Sequence, residues 1–227
     1  MRKIVIAIDG PAASGKSTTA RLVADRLGYL HIDTGAMYRA VTLRVLEEKI
    51  PLNDVERIGS LAEGIRIRLE RSDGTNRVFV DSRDVTAEIR SANVTRSVSA
   101  VSSYQRVRDV LVREQRRIAE AGGVVLEGRD IATVVLPSAD LKIFMIARVS
   151  ERVIRRSKEL EAGGVKIDNA ALEQEILERD RLDSTREASP LRRAMGAIEV
   201  DTSTMTIEQQ VQFVVSRARE IIEGRGG

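Results

Sequence analysis

The sequence predicts an α/β protein: a parallel five-stranded sheet with helices on both faces, plus an inserted antiparallel hairpin subdomain and a lid. Three observations lead there. Five apolar runs, at 3–8, 29–32, 124–127, 141–147 and 197–200, are separated by stretches of helical periodicity, the pattern of a doubly wound sheet. A glycine-bounded turn at 10–17 lies between the first run and the first helix. A segment at 65–81 alternates polar and apolar residues, which suits a half-exposed antiparallel sheet and not the core one.

In chain order, KIVIAI at 3–8 is a β-branched, buried strand, and 16–27 places Ala20, Val23, Ala24 and Leu27 on one helical face. After the second strand, Asp33-Thr34-Gly35 leads into a helix over 36–48, closed off by Pro51 and Asn53, and another helix covers 55–64. IRIRL at 65–69 and RVFVD at 77–81, with Ser72-Asp73-Gly74 between them, make the hairpin. Helical patterns resume over 91–102 and 104–121, the second ended by Gly122 and Gly123. The charged stretch 148–164, closing on Gly163 and Gly164, is expected to be a mobile cover. Residues 169–186 alternate acidic and basic side chains as a helix, and 207–222 is a closing amphipathic helix with Thr206 as its cap. Residues 224–227 read as a frayed tail.

Composition narrows the function classes. At 227 residues, 42% hydrophobic and 31% charged, the chain suits one soluble domain with subdomains. No apolar run reaches membrane-spanning length, and the amino terminus passes directly into a strand, so neither membrane nor secretion is expected. The absence of cysteine excludes disulfide and thiolate chemistry and fits the cytoplasm. A single histidine, His31, argues against zinc; it lies in a strand-like run without an evident partner and reads as structural. Net charge is +3, most basic residues are arginine, acidic residues are interspersed, and only 3% are aromatic, which disfavours a nucleic-acid partner.

Gly10, Pro11, Ala12, Ala13, Ser14, Gly15, Lys16 and Ser17 satisfy G-x-x-x-x-G-K-[ST], followed by Thr18 at the start of the helix. Strand, glycine turn and helix in that order make a phosphate cradle. Backbone N–H groups point inward, Lys16 reaches the outer phosphates, and the Ser17 hydroxyl can ligate Mg²⁺. The loop alone names no reaction. A guanine-reading Asn-Lys-x-Asp is absent, and the nearest apolar strand ending in an acid is Val124-Val125-Leu126-Glu127, running into Gly128-Arg129-Asp130. Arg39, Arg108, Arg129, Arg155, Arg156, Arg179 and Arg186 occupy loop and helix-end positions. Fixed guanidiniums are what two mutually repelling phosphorylated substrates require. Another phosphate-loop phosphotransferase or ATPase, and a basic nucleic-acid-binding module, remain open on these grounds.

Ile8-Asp9-Gly10-Pro11, the run from His31 through Asp33-Thr34-Gly35-Ala36-Met37-Tyr38-Arg39, Glu127-Gly128-Arg129-Asp130, and Glu178 through Arg179, Asp183 and Arg186 together resemble the type 1 family of bacterial cytidylate (CMP/dCMP) kinases. The likeness spans essentially the whole chain in order, hairpin insert included. It implies ATP- and Mg²⁺-dependent phosphorylation of CMP and dCMP by a monomer. The implied division is a core of 1–36, 93–147 and 169–227, a monophosphate-binding insert of 37–92, and a lid of 148–168. It implies that the donor is held by residues 10–18 with Arg155 and Arg156, and Mg²⁺ by Ser17. It places Thr34 and Arg39 against the acceptor, Arg39, Arg129 and Arg186 on its phosphate, Ser99, Arg108 and Asp130 on the cytosine, and Arg179 and Asp183 on the pentose. Lys16, Arg39, Arg129, Arg155 and Arg186 would carry catalysis. Thr34 stands where the family can have serine, keeping the hydroxyl. Glu127 stands where it can have aspartate, lengthening the reach of a water-mediated Mg²⁺ contact.

Overall fold

In chain order the chain forms β1 (Val5–Asp9), α1 (Lys16–Leu27), β2 (Leu30–Asp33), α2 (Thr34–Glu47), α3 (Val55–Gly64), β3 (Ile67–Ser72), β4 (Thr75–Val80), β5 (Arg83–Asp84), α4 (Ala92–Ser103), α5 (Gln105–Ala119), β6 (Val124–Gly128), β7 (Leu141–Ile146), α6 (Val149–Ala162), α7 (Asn169–Thr185), β8 (Ile198–Asp201) and α8 (Ile207–Ile222). These come from a computed structural model, which describes residues 2–72, 75–162, 164 and 168–224. Two compact units emerge. The first comprises Met1–His31 and Ala121–Gly227, the second Ile32–Glu120, and the chain passes from one to the other within β2.

The first unit is organised on β1. It pairs in parallel with β6 on one side and β7 on the other, and β7 pairs in parallel with β8. The sheet order is β2-β6-β1-β7-β8. Alternation in β1 and β7 sends Ile6 and Ile8, with Ile143 and Met145, to one apolar layer. Ala20, Val23 and Ala24 of α1 and Val211, Val214, Val215 and Ala218 of α8 close over that layer. The chain leaves β1 at Asp9 and enters α1 at Lys16, so the short turn between them holds the helix amino terminus at the carboxyl end of β1. Thr206 caps α8, its side chain accepting from the Gln209 N–H in a capping box. The five strands are those the apolar runs predict.

In the second unit β3, β4 and β5 form an antiparallel sheet. Val78 and Val80 turn inward onto Ala36, Ala40 and Leu43 of α2. The expected hairpin is present, but β5, which pairs Arg83 with Val80 and Asp84 with Phe79, extends it to three strands. Two exposed charged residues carry no strand signature; backbone pairing makes this one, with side-chain pairs from Asp84 to Arg77 of β4 and from Arg83 to Glu47. The turn residues Asp73 and Gly74, the Gly163 end of the charged segment and tail residues 225–227 lie outside the described residues. Most of the stretch expected as a cover is the regular helix α6, packed on α7 through Val153, Leu172 and Ile176.

Candidate active site

The turn after β1 takes a conformation that its glycines permit. Gly10 has φ +156°, and a Cβ there would stand 2.3 Å from the Met145 carbonyl oxygen, a backbone atom that cannot yield. Ala13 at φ +56° and Gly15 at φ +94° are left-handed. Helix α1 starts at Lys16 with no capping side chain and no acidic residue in its first turn, so its leading N–H groups face the concavity. Lys16 Nζ donates to the Pro11 carbonyl at 3.0 Å. The Ser14 hydroxyl is buried and lacks a hydrogen-bond partner among the described residues, an orphan suited to a phosphate oxygen. The turn is braced from behind. Thr202 Oγ1 and Arg155 Nη1 donate to the Ser14 carbonyl at 2.8 and 3.2 Å, and Thr19 Oγ1 donates to Gln210 Oε1 at 2.8 Å. The Arg155 guanidinium therefore sits at the turn, whereas Arg156 pairs with Glu159 of its own helix at 2.9 Å.

Glu127, near the end of β6, meets the turn at Ser17, whose Oγ donates to Glu127 Oε2 at 2.6 Å. Glu127 Oε1 lies 3.2 Å from His31 Nε2, and both side chains are buried. Burial alone would raise the Glu127 carboxyl. The His31 hydrogen bond, the Lys16 and His31 charges and the Ser17 hydroxyl outweigh it and hold the group below the usual carboxylate range. His31 thus has a specific partner, which corrects the expectation that it has none. The partner is 96 residues away in sequence, and only the adjacency of β2 and β6 makes the pair.

Beyond β6, Arg129 and Asp130 head a single π-helical turn, Ile131–Val135. Asp9 anchors it: its two carboxylate oxygens accept the N–H groups of Ile131 and Ala132, each at 2.8 Å. Arg129 Nε donates to Asp183 Oδ2 of α7 at 2.7 Å, and Arg186 Nη2 stands 3.7 Å from Asp130 Oδ1. Burial raises the Asp183 carboxyl, but Arg129 first, then Arg179 and Arg186, draw it below its ordinary value. Five of the predicted acceptor residues, Arg129, Asp130, Arg179, Asp183 and Arg186, are therefore one charge cluster in the unit that holds the phosphate turn. Thr34, Arg39, Ser99 and Arg108 belong to the second unit. There Arg39 donates to Thr95 Oγ1 at 2.8 Å, and Thr34 is buried at the start of α2. Ser102 Oγ donates to the Ser99 carbonyl, and Arg108, 2% exposed, donates to the Ser102 carbonyl with its guanidinium 5.4 Å from the Tyr38 ring centroid.

Asp9 has a pH signature. Burial, with a smaller push from Asp130, raises its carboxyl to about 6 against the opposing pull of the Ala132 and Ile131 N–H groups. The folded state then binds this proton more tightly than the unfolded one. The resulting stability is complete below about pH 4 and lost as pH rises through 6, an amount on the order of 3 kcal/mol. Denaturant titrations of wild type and Asp9→Asn should show a stability difference that declines between pH 4 and 7; a flat difference would refute the assignment.

A family model described as Cytidylate kinase matches residues 6–220. Over 224 residues the chain is 50% identical to a cytidylate kinase of Streptococcus suis (strain 05ZYH33), covering 98% of this chain and all of the relative. It is 49% identical over 226 residues to one from Geobacillus thermodenitrificans (strain NG80-2), covering 100% and 99%. The chain belongs to the cytidylate kinase family. It is a kinase. An uncharacterized protein from Eubacterium ventriosum ATCC 27560 matches at TM-score 0.50 and 11% identity, covering 96% of this chain and 99% of that one, a likeness of fold alone. No helix among the described residues is long and apolar enough to cross a membrane.

Four residues at the site are not evident from the sequence as site residues. Asp9 was legible only as part of a motif, not as a clamp. Thr202 and Gln210 brace the turn from 188 and more residues away and carry no local signal. Arg152 had one: at i−3 from Arg155 it shares a helical face. It is buried, donates to Asp180 Oδ2 at 2.5 Å, and reaches the Ala12 carbonyl of the phosphate turn at 3.4 Å.

Proposed function

We propose that the protein transfers the γ-phosphoryl group of Mg²⁺-bound ATP in line to a phosphate oxygen of CMP or dCMP. The observation that carries this reading is the clustering of Arg129, Asp130, Arg179, Asp183 and Arg186 in the same unit as a phosphate turn with an orphan serine hydroxyl. Residues 10–18 take the donor phosphates, with Arg155 and Arg156 contributed by a lid of 148–168. Arg39, Arg129 and Arg186 take the acceptor phosphate, Ser99, Arg108 and Asp130 the cytosine, Thr34 the acceptor nucleotide, and Arg179 and Asp183 its pentose. Within the core-and-insert division, 37–92 is the monophosphate-binding part. We place the enzyme in the cytoplasm as a monomer.

The residues present fit Mg²⁺. Ser17 and Glu127 offer hard oxygen atoms, and a hydroxyl that donates its hydrogen bond to Glu127 keeps its lone pairs for a cation. Ser17 would ligate the ion and Glu127 would hold its water. When bound, the ion screens charge on the donor phosphates. The acceptor phosphate has a second pKa of about 6, so it is largely dianionic at neutral pH and needs no general base. The side chains align the two anions, neutralise them and exclude water as a rival acceptor.

A coupled ADP-release assay over CMP, dCMP, UMP, AMP and no acceptor tests the proposal. ADP is expected with CMP and dCMP. ADP at an equal rate without acceptor would make the protein an ATPase. No ADP, with salt-dependent binding to DNA or RNA, would make it a nucleic-acid-binding module.

A further inference from the structure

The chain has one histidine, and the reaction above does not use it. His31 is 5% exposed and Glu127 2%. The Glu127 carboxylate is engaged at both ends, Oε1 by His31 Nε2 at 3.2 Å and Oε2 by the Ser17 hydroxyl at 2.6 Å. An ionised carboxylate only accepts, so the His31 Nε2 carries the proton of this bond.

We propose that His31 is a positioning residue for the divalent-cation site: its Nε2–H fixes the Glu127 carboxylate so that Oε2 keeps accepting from the Ser17 hydroxyl and the Ser17 lone pairs face the cation. The inference rests on the Mg²⁺·ATP reading and adds a residue to it. The terminal torsion of a glutamate is broad and nearly two-fold, and glutamate has one more rotor than aspartate. With one oxygen anchored, the other end can swing and the serine hydroxyl can turn with it. With Oε1 held from β2 and Oε2 from α1, one orientation remains. The arrangement is that of an outer hydrogen bond orienting a metal-binding group, whose loss weakens metal affinity about 10–100-fold.

The test is Mn²⁺ binding to the ATP-loaded full chain by electron paramagnetic resonance, with ATP binding in EDTA measured alongside. His31→Leu is expected to weaken Mn²⁺ binding about tenfold or more while ATP affinity in EDTA holds. His31→Gln, which keeps a side-chain N–H donor, is expected to restore most of the loss. Affinity in His31→Leu within about twofold of wild type overturns the proposal, and so does a His31→Gln variant as weak as His31→Leu. A second measurement needs no variant and stands if His31→Leu does not fold. The single imidazole gives one pair of ¹⁵N resonances, expected to report a protonated Nε2; an Nδ1–H tautomer overturns the proposal. A wild type that binds ATP but takes up no Mn²⁺ sinks the metal reading and this inference together. Wild-type uptake matched by His31→Leu sinks only this inference.

Discussion

Lys16→Ala is expected to lower kcat by about 10² or more, the scale of removing one preorganised electrostatic contact from a developing anion. Lys16 is nearly buried, and its ammonium is held inside the phosphate turn by the Pro11 carbonyl. Its position is thus fixed before nucleotide arrives, so little reorganisation is needed when charge moves between phosphates. The same ammonium helps keep Glu127 ionised, so its loss also loosens the Ser17 environment. The decisive measurement separates kcat from the KM for ATP by steady-state assay, with circular dichroism to verify folding. Turnover close to wild type would contradict the role given to Lys16.

Asp130→Ala is expected to erode the preference for CMP over UMP by roughly 5–150-fold, the equivalent of about 1–3 kcal/mol. Cytosine offers an exocyclic amino donor beside ring acceptors, and a carboxylate with a neighbouring guanidinium complements that edge. Uracil puts a carbonyl where the amino group was, leaving a buried carboxylate without a proton to accept. Sites built on hydrogen bonds can discriminate more steeply than apolar pockets. Asp130 is buried beside Arg186, so removing its charge also leaves a guanidinium less compensated. Asp130→Asn removes the same charge but keeps the shape and supplies a donor, and should raise kcat/KM for UMP relative to CMP. A kcat/KM ratio unchanged in both variants would remove Asp130 as the base reader.

The parts of the architecture legible in the sequence were those whose signal is local. The central strands β6, β1 and β7 show as apolar runs because they lie within the sheet, the edge strands β2 and β8 as shorter ones, and the phosphate turn shows because its backbone demands glycine at Gly10 and Gly15. Strand β5 was not legible, since Arg83 and Asp84 join the sheet through backbone pairing and ion pairs with residues distant in sequence. Within the candidate site, the arginines of 129, 179 and 186 were readable as residue types, but their gathering around Asp183 depends on α7 meeting the end of β6. The His31–Glu127 pair was invisible for the same reason: each half looks ordinary, and the sheet order supplies the meaning. Arg152 is readable from helical spacing beside Arg155.

The Asp9 carboxylate has one more consequence. It immediately precedes Gly10 in the chain and grips the amides just after Asp130, so a single side chain rivets the cradle for one nucleotide to the platform proposed to sort the other.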